Sequence, residues 1–168
     1  MKSAGSDEPP WLDQEEMAAW HPLAVAGMNL FTGLDRDLRE AFDVTLLDHG
    51  VLLMLRASPD GLTMGHLAGQ FGVEASVITY RVQRLEGRKL VERVCRDEDR
   101  RLIRAAITPA GAQLCDQMGP VHVASVRARF LSHVPRQDLS ALADAFSRLH
   151  AAQRSTETRT TPPLVSPN

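Results

Sequence analysis

The sequence predicts a mainly α-helical protein with one small β-hairpin, and three observations within residues 63–107 carry that prediction. Two apolar patterns of helical period follow each other across a glycine: Leu67, Ala68 and Phe71 before Gly72, then Ile78, Val82 and Leu85 at spacings of four and three. Two β-branched-rich runs of strand length, Leu90 to Arg96 and Ile103 to Ile107, are joined by the charged turn DEDRR. Between Arg81 and Arg104 lie nine Lys/Arg against five Asp/Glu, a local net of +4 in a chain whose net charge is −2. Two helices around a tight turn, followed by a hairpin, make a helix-turn-helix with a wing. The concentrated positive charge on its second helix and wing suits phosphate binding.

Taken in order, residues 1–12 are polar and proline-rich and are expected to form a flexible arm. Met17 to Trp20 are expected to make a separate lead-in turn. A helix then starts at Pro22, whose missing N–H suits a first turn, and carries Leu23, Leu30, Leu34, Leu38 and Phe42. Thr45-Leu46-Leu47-Asp48 has the form of a capping box and opens a second helix with Leu47, Val51, Leu52 and Leu55 on its apolar side. Pro59-Asp60-Gly61 turns the chain, Thr63 caps the first helix of the pair, and the second helix is expected from about Glu74 to Lys89. After the hairpin, Thr108 as cap and Pro109 at the first position open a long helix with Leu114, Met118, Val121, Ser125 and Ala128 along one side, Pro120 marking a place for a bend. Pro135 is expected to start the last helix, with Leu139, Leu142, Phe146 and Leu149. The remainder, 155–168, has almost nothing to bury and is expected to be disordered.

A length of 168 residues fits one domain, assigned to 13–154, and 43% apolar residues give it a core of ordinary size. No run of 18 apolar residues and no signal-peptide pattern occur, so a cytoplasmic protein without a membrane partner is expected. Cys95 and Cys115, far apart and outside any C-x-x-C, argue against a disulfide scaffold or zinc ribbon. The six histidines, 21, 49, 66, 122, 133 and 150, never fall at i and i+4, so no metal site is assigned. The nucleophile elbow, phosphate-binding glycine loop and H-E-x-x-H are all missing, and no catalytic residue or cofactor is expected.

The run TMGHLAGQFGVEASVITYRVQRLEGRKLVERV, the wing motif D-x-R written here as Asp99-Arg100-Arg101, and the exit Ile107-Thr108-Pro109-Ala110-Gly111 resemble the MarR-type winged helix-turn-helix regulators. The likeness extends more loosely from about Trp20 to Leu149. It implies a winged domain at about 45–107 and dimerisation helices at about 14–43 and 108–154. The apolar stripes on the first and last helices point the same way, because a compact winged core cannot cover them and a twofold copy can. A homodimer on double-stranded DNA, most often a repressor relieved by a small ligand, is the function the resemblance implies.

With Ile78, Val82 and Leu85 facing inward, the outer side of the second helix presents Ala75, Ser76, Thr79, Tyr80 and Gln83 near its N-terminus, where a recognition helix meets base edges. Arg81, Arg84, Arg88 and Lys89 are expected on the DNA backbone. A guanidinium at the hairpin tip, Arg101, suits a narrow minor groove, and the resemblance makes Asp99 the carboxylate that holds its fork. Glu74 stands where many relatives have a small Ser or Thr cap, and Arg81 where an apolar residue is frequent. Family members are commonly released by a small aromatic or phenolic acid between dimer helices and winged domain. Trp20, His21, Met28, Asp48, His49 and His122 are the residues that could line such a site.

Two alternatives stay open at this stage: a winged helix turned into a protein-interaction module without an operator, and a redox- or metal-responsive regulator. The exposed-thiol requirement is partly met by Cys95 between Arg93 and Arg96. The family's peroxide sensors, however, carry their cysteine in the first helix region, where this chain has none.

Overall fold

The computed structural model describes residues 11–95 and 103–160, of which 154–160 as backbone only. Asp13 and Glu16 start the first helix with a reciprocal cap: Asp13 Oδ1 accepts the Glu16 amide at 2.8 Å and Glu16 Oε2 accepts the Asp13 amide at 2.9 Å. Helix α1 therefore runs unbroken over Gln14–Phe42. This corrects the expected start at Pro22 and the separate turn at Met17 to Trp20. The capping box decides the start from upstream, and Pro22 is carried inside the helix, where its neighbours Trp20 and His21 are exposed. The carbonyl that a proline leaves without its helical donor can there take water instead. Asp43 ends α1 in the left-handed region, φ 53°, which Asp tolerates better than most residues.

Helix α2, Leu46–Arg56, opens with the expected capping box: Thr45 Oγ1 accepts the Asp48 amide and Asp48 Oδ2 accepts the Thr45 amide, both at 3.0 Å. Its Val51, Leu52 and Leu55 are fully buried and form the middle of the core. The turn at Gly61, φ 72°, leads into β1, Leu62–Thr63. A side chain there would drive a Cβ to 2.5 Å from the Ala105 carbonyl oxygen, so the strand can close against its neighbour only at glycine. Thr63 caps α3, Met64–Phe71, and Gly72, φ 61°, ends it. Helix α4, Ala75–Gly87, is slightly shorter than expected and buries Ile78, Val82 and Leu85 as its spacing predicts.

Strands β2, Val91–Val94, and β3, Arg104–Ile107, pair antiparallel with Val91 opposite Ile107 and Val94 opposite Arg104. The hairpin becomes a three-stranded sheet, β1-β3-β2, because Leu62 and Thr63 pair with Ala105 and Arg104. Two residues are too few for a periodicity signal, and β1 is not foreseen in the sequence.

Thr108 caps α5, Pro109–Arg129, accepting the Gly111 amide at 3.1 Å while donating to the Lys89 carbonyl at 2.8 Å. Gly111 lies so close to the Leu90 carbonyl that any side chain would overlap it. The helix continues through Pro120, and its core-facing residues are Gly111, Cys115 and Met118. Of the expected stripe, Leu114 and Met118 pack inward, Ser125 bonds to α1, and Ala128 is exposed. Burial pushes the Cys115 thiol up, so it sits in the core as a protonated, apolar group. Asp37 of α1 receives the Arg129 guanidinium at 2.7 and 2.9 Å and the Ser125 hydroxyl, clamping α5 to α1 where Gly33 gives Arg129 room.

Two 3-10 turns, Leu131–His133 and Arg136–Asp138, precede α6, Leu139–Thr160. Pro135 accepts a bond inside the second turn from Asp138 N–H rather than starting the helix. The helix also passes the boundary at 154 expected from composition. No helix among the described residues is long and apolar enough to cross a membrane.

Candidate nucleic-acid interface and an adjoining cavity

The inward stripe of α4 fixes what the outside shows. Ala75, Ser76, Thr79, Tyr80 and Gln83 are all exposed, Tyr80 to 63%. Thr79 Oγ1 donates back to the Ala75 carbonyl at 2.8 Å, leaving its lone pairs outward. Glu74 gives no side-chain cap, unlike Thr63 on α3 and Thr108 on α5. The positive end of α4 therefore keeps first-turn amides available to an outside acceptor such as a phosphate or a base edge.

Arg84 and Arg88 are not on this face. Arg84 Nη2 donates to the Asp43 carbonyl at 3.0 Å and to its carboxylate at 3.1 Å; Arg88 donates to the carbonyls of Asp43 at 2.7 Å and Phe42 at 3.1 Å. Both guanidinium groups cover the carbonyl end of α1, where the helix dipole attracts cations. The local sum of charges could not reveal that, in the chain alone, partners inside the fold hold both groups.

Arg81 lies with its guanidinium 5.8 Å from the Tyr80 ring centre and its Nη1 3.7 Å from Asp48 Oδ2. Arg84 Nη1 is 3.8 Å from the same oxygen. Asp48, 1% exposed, thus caps α2 and ties it to α4 with one carboxylate. Its Oδ1 and Arg81 Nε are buried without a hydrogen-bond partner among the described residues. Arg93 of β2 pairs with Glu86 of α4 at 3.4 Å, joining the base of the wing to the helix. Asp99 and Arg101 lie outside the described residues.

Beside α2 lies a pocket of about 750 Å³ that is largely open to solvent, lined by Phe31 and Leu34 of α1, Leu46, Leu47 and Leu53 of α2, Phe71 of α3 and His122 of α5. His49 and His122 meet there, ring centres 4.7 Å apart and planes inclined at 53°. Burial, and after it the neighbouring His122, hold His49 down at about 4, so it is neutral at physiological pH.

Of the six expected lining residues, the structure brings together these two histidines. Asp48 faces α4 from the other side of α2, while Trp20, His21 and Met28 sit on the exposed first half of α1, away from the cavity. The apolar walls were missed because they come from three separate helices. One local hint existed: Gly50 inside α2, where a Cβ would stand 2.8 Å from the Phe71 ring.

A helix pair with an exposed, uncapped second helix, backed by a three-stranded sheet that leads into a wing, defines a winged-helix DNA-binding protein. The sequence model of the MarR family matches residues 42–102, from the end of α1 into the wing. The fold is similar to the crystal structure of AbsC, a MarR family transcriptional regulator from Streptomyces coelicolor, at 30% identity over 88% of this chain and 99% of that one, with a TM-score of 0.79. Sco3205, a MarR family regulator from the same organism in complex with DNA, is similar at 28% identity over 85% of this chain and 90% of that one, also with a TM-score of 0.79. BldR from Sulfolobus Solfataricus, a transcriptional regulator, gives 26% identity, 82% and 99% coverage and a TM-score of 0.70. A search of curated proteins gave no match. The chain belongs to the MarR family of transcriptional regulators and is a DNA-binding regulator, as the motifs in 63–111 implied.

Proposed function

We propose that the protein acts as a homodimeric repressor in the cytoplasm, reading a pseudo-palindromic operator with two copies of α4 and released by a small organic ligand in the cavity beside α2. The observation that carries this reading is the outer face of α4: Ala75, Ser76, Thr79, Tyr80 and Gln83 stand in solvent along a helix whose positive end has no side-chain cap. Small and polar groups there can reach major-groove edges, Gln83 matching the donor and acceptor of adenine. Arg101, steadied by Asp99, would enter the adjoining minor groove.

The dimer is supported by apolar surface on α1 and α6 that the chain itself leaves uncovered. Trp20, Leu23, Phe31, Phe146 and Leu149 are all more than two-fifths exposed. Leu23, Phe31 and Phe146 also edge an open groove of about 540 Å³ between α1 and the C-terminal segment. A second copy related by a twofold axis would bury these faces and set two α4 helices about one DNA turn apart, roughly 34 Å.

Selection of bound sequences from a random duplex pool, followed by affinity measurement at two salt concentrations, tests the reading. An enriched inverted repeat is expected, with affinity falling steeply between about 50 and 200 mM salt as phosphate counterions are released. No enrichment from folded, dimeric protein would refute it.

A further inference from the structure

We propose that Arg81 is a positioning residue of the DNA interface: anchored by the buried carboxylate of Asp48, its guanidinium holds the Tyr80 ring in the orientation in which α4 offers it to the operator. The inference rests on the reading of α4 as the helix that meets DNA, and adds what keeps its aromatic contact in place.

Tyr80 is the one tyrosine of the chain and the largest of the five side chains named on the outer face of α4. A side chain as exposed as this one ordinarily hops between rotamers, and the freedom it loses on docking counts against binding. The Arg81 guanidinium lies over the ring, its Cζ 5.8 Å from the centre, at the outer edge of the range in which an aromatic face attracts a cation. At an exposed ring that attraction is weak, so it orders the ring only where the guanidinium is itself ordered.

Asp48 supplies that order. Arg81 Nη1 stands 3.7 Å from Asp48 Oδ2, beyond hydrogen-bond range, and Arg81 Nε is buried without a hydrogen-bond partner among the described residues. Charge and packing therefore hold the group, rather than a hydrogen-bonded fork. Asp48 is fixed in turn by the cap of α2: its Oδ2 accepts the Thr45 amide and its own amide donates to Thr45 Oγ1, both at 3.0 Å. Arg84, 3.8 Å from the same oxygen, gives its hydrogen bonds to Asp43. The order of the first turn of α2 thus passes through Arg81 to a ring on the outer face of α4.

The residue type suits the task. A planar guanidinium can lie along a ring and still face a carboxylate, whereas a lysine in its place would keep the charge on a compact, strongly hydrated ammonium without a flat face. A glutamine would keep the length of a polar side chain and lose the charge. A ring ordered before DNA arrives has less freedom to lose on binding, so the gain appears as affinity for the base pair that Tyr80 meets.

The experiment uses the full-length protein and, as DNA, the duplex that the parent selects from the random pool. One tyrosine gives one set of ring signals, so 13C relaxation of labelled Tyr80 reads the ring directly. Arg81→Gln is expected to raise ring mobility and Arg81→Lys to restore part of the order, both checked for folding by thermal melts; Asp48→Asn should raise it as well. In band-shift titrations Arg81→Gln should weaken the duplex about two- to tenfold, the cost of ordering one side chain on binding, yet less than about twofold in a Tyr80→Ala background. A phosphate contact of Arg81 would instead cost the same in both backgrounds and lower the salt slope by about one. Equal losses in the two backgrounds, or a ring as ordered in Arg81→Gln as in the parent, overturn the positioning role and leave α4 as the recognition helix. A Tyr80→Ala protein that binds as tightly as the parent removes the aromatic contact and the proposal with it. If no duplex is selected at all, the operator reading falls, and the proposal falls because of it.

Discussion

Asp48 carries two jobs on one carboxylate, and substitutions can separate them. Its cap on α2 is worth about 1 kcal/mol by analogy with other N-terminal caps. Its attraction to Arg81 and Arg84, at 3.7 and 3.8 Å, is worth several kcal/mol before desolvation is charged against it. Removing one partner of a buried pair typically costs about 3–5 kcal/mol. The figure here should be lower. Arg81 keeps 22% of its side chain in solvent and can turn to water, and Arg84 retains Asp43. About 2 kcal/mol is therefore assigned to the charge. Asp48→Asn, which keeps an acceptor for the Thr45 amide, is expected to lose about 2 kcal/mol, Thr45→Ala about 1, and Asp48→Ala about 3. Urea unfolding at fixed protomer concentration, followed by circular dichroism, reads all three, the concentration being fixed because dimerisation would add to apparent stability. An Asp48→Asn protein within about 0.5 kcal/mol of the parent, an ordinary surface-substitution effect, would refute the tie between α2 and α4 and leave Asp48 as a cap alone.

Three further expectations follow from the geometry. Gln83→Ala should weaken operator binding by about 1–3 kcal/mol without moving the melting temperature, whereas Arg88→Ala should destabilise the fold and leave sequence preference intact; band-shift titrations beside thermal melts separate the two, and the reverse pattern would overturn the placement of Arg88 on α1. Phe146→Asp combined with Leu149→Asp should yield monomers by light scattering with helical content kept, since both side chains are more than two-fifths exposed in the single chain; an intact dimer would remove α6 from the interface. Asp37 is held at about 2, first by the Arg129 hydrogen bond and then by that of Ser125. A depressed carboxylate contributes stability above its unfolded value near 3.8 and loses it as pH falls through about 2, so Asp37→Asn should cost about 1 kcal/mol at neutral pH, discounted for partial exposure, and only a small part of that at pH 2. Equal loss at both pH values would show that packing rather than charge holds α5 to α1.

What the sequence made legible was local. Thr45 with Asp48, Thr63, and Thr108 followed by Pro109 act within one turn, and all cap as expected. The spacing of Ile78, Val82 and Leu85 likewise needs only the helix they lie on, and it determines the exposed face of α4. Competition between two local rules explains the misplaced start of α1. Proline at a first turn and Asp13-x-x-Glu16 both mark helix starts, and the pair that satisfies two amides lies upstream. Long-range placement was not legible. Arg84 and Arg88 reach residues more than 40 positions away, β1 is defined only by its partner β3, and the cavity is assembled from α1, α2, α3 and α5. Cys115 reads as a free thiol in sequence and becomes core only when α5 docks.

The binding of α1's carbonyl end by Arg84 and Arg88 bears on how such a regulator searches a chromosome. Affinity for arbitrary duplex comes almost wholly from cations free to displace counterions, and two that the composition offers are occupied within the fold. With those two arginines engaged, phosphate contacts fall to the other cations of α4 and the wing, and the salt slope on non-cognate DNA should be shallower than the +4 count of residues 81–104 alone would give. Occupancy of the operator against a genome of competitors would then depend on few base contacts over a low background, so losing one of them would cost selectivity more than it costs overall attachment.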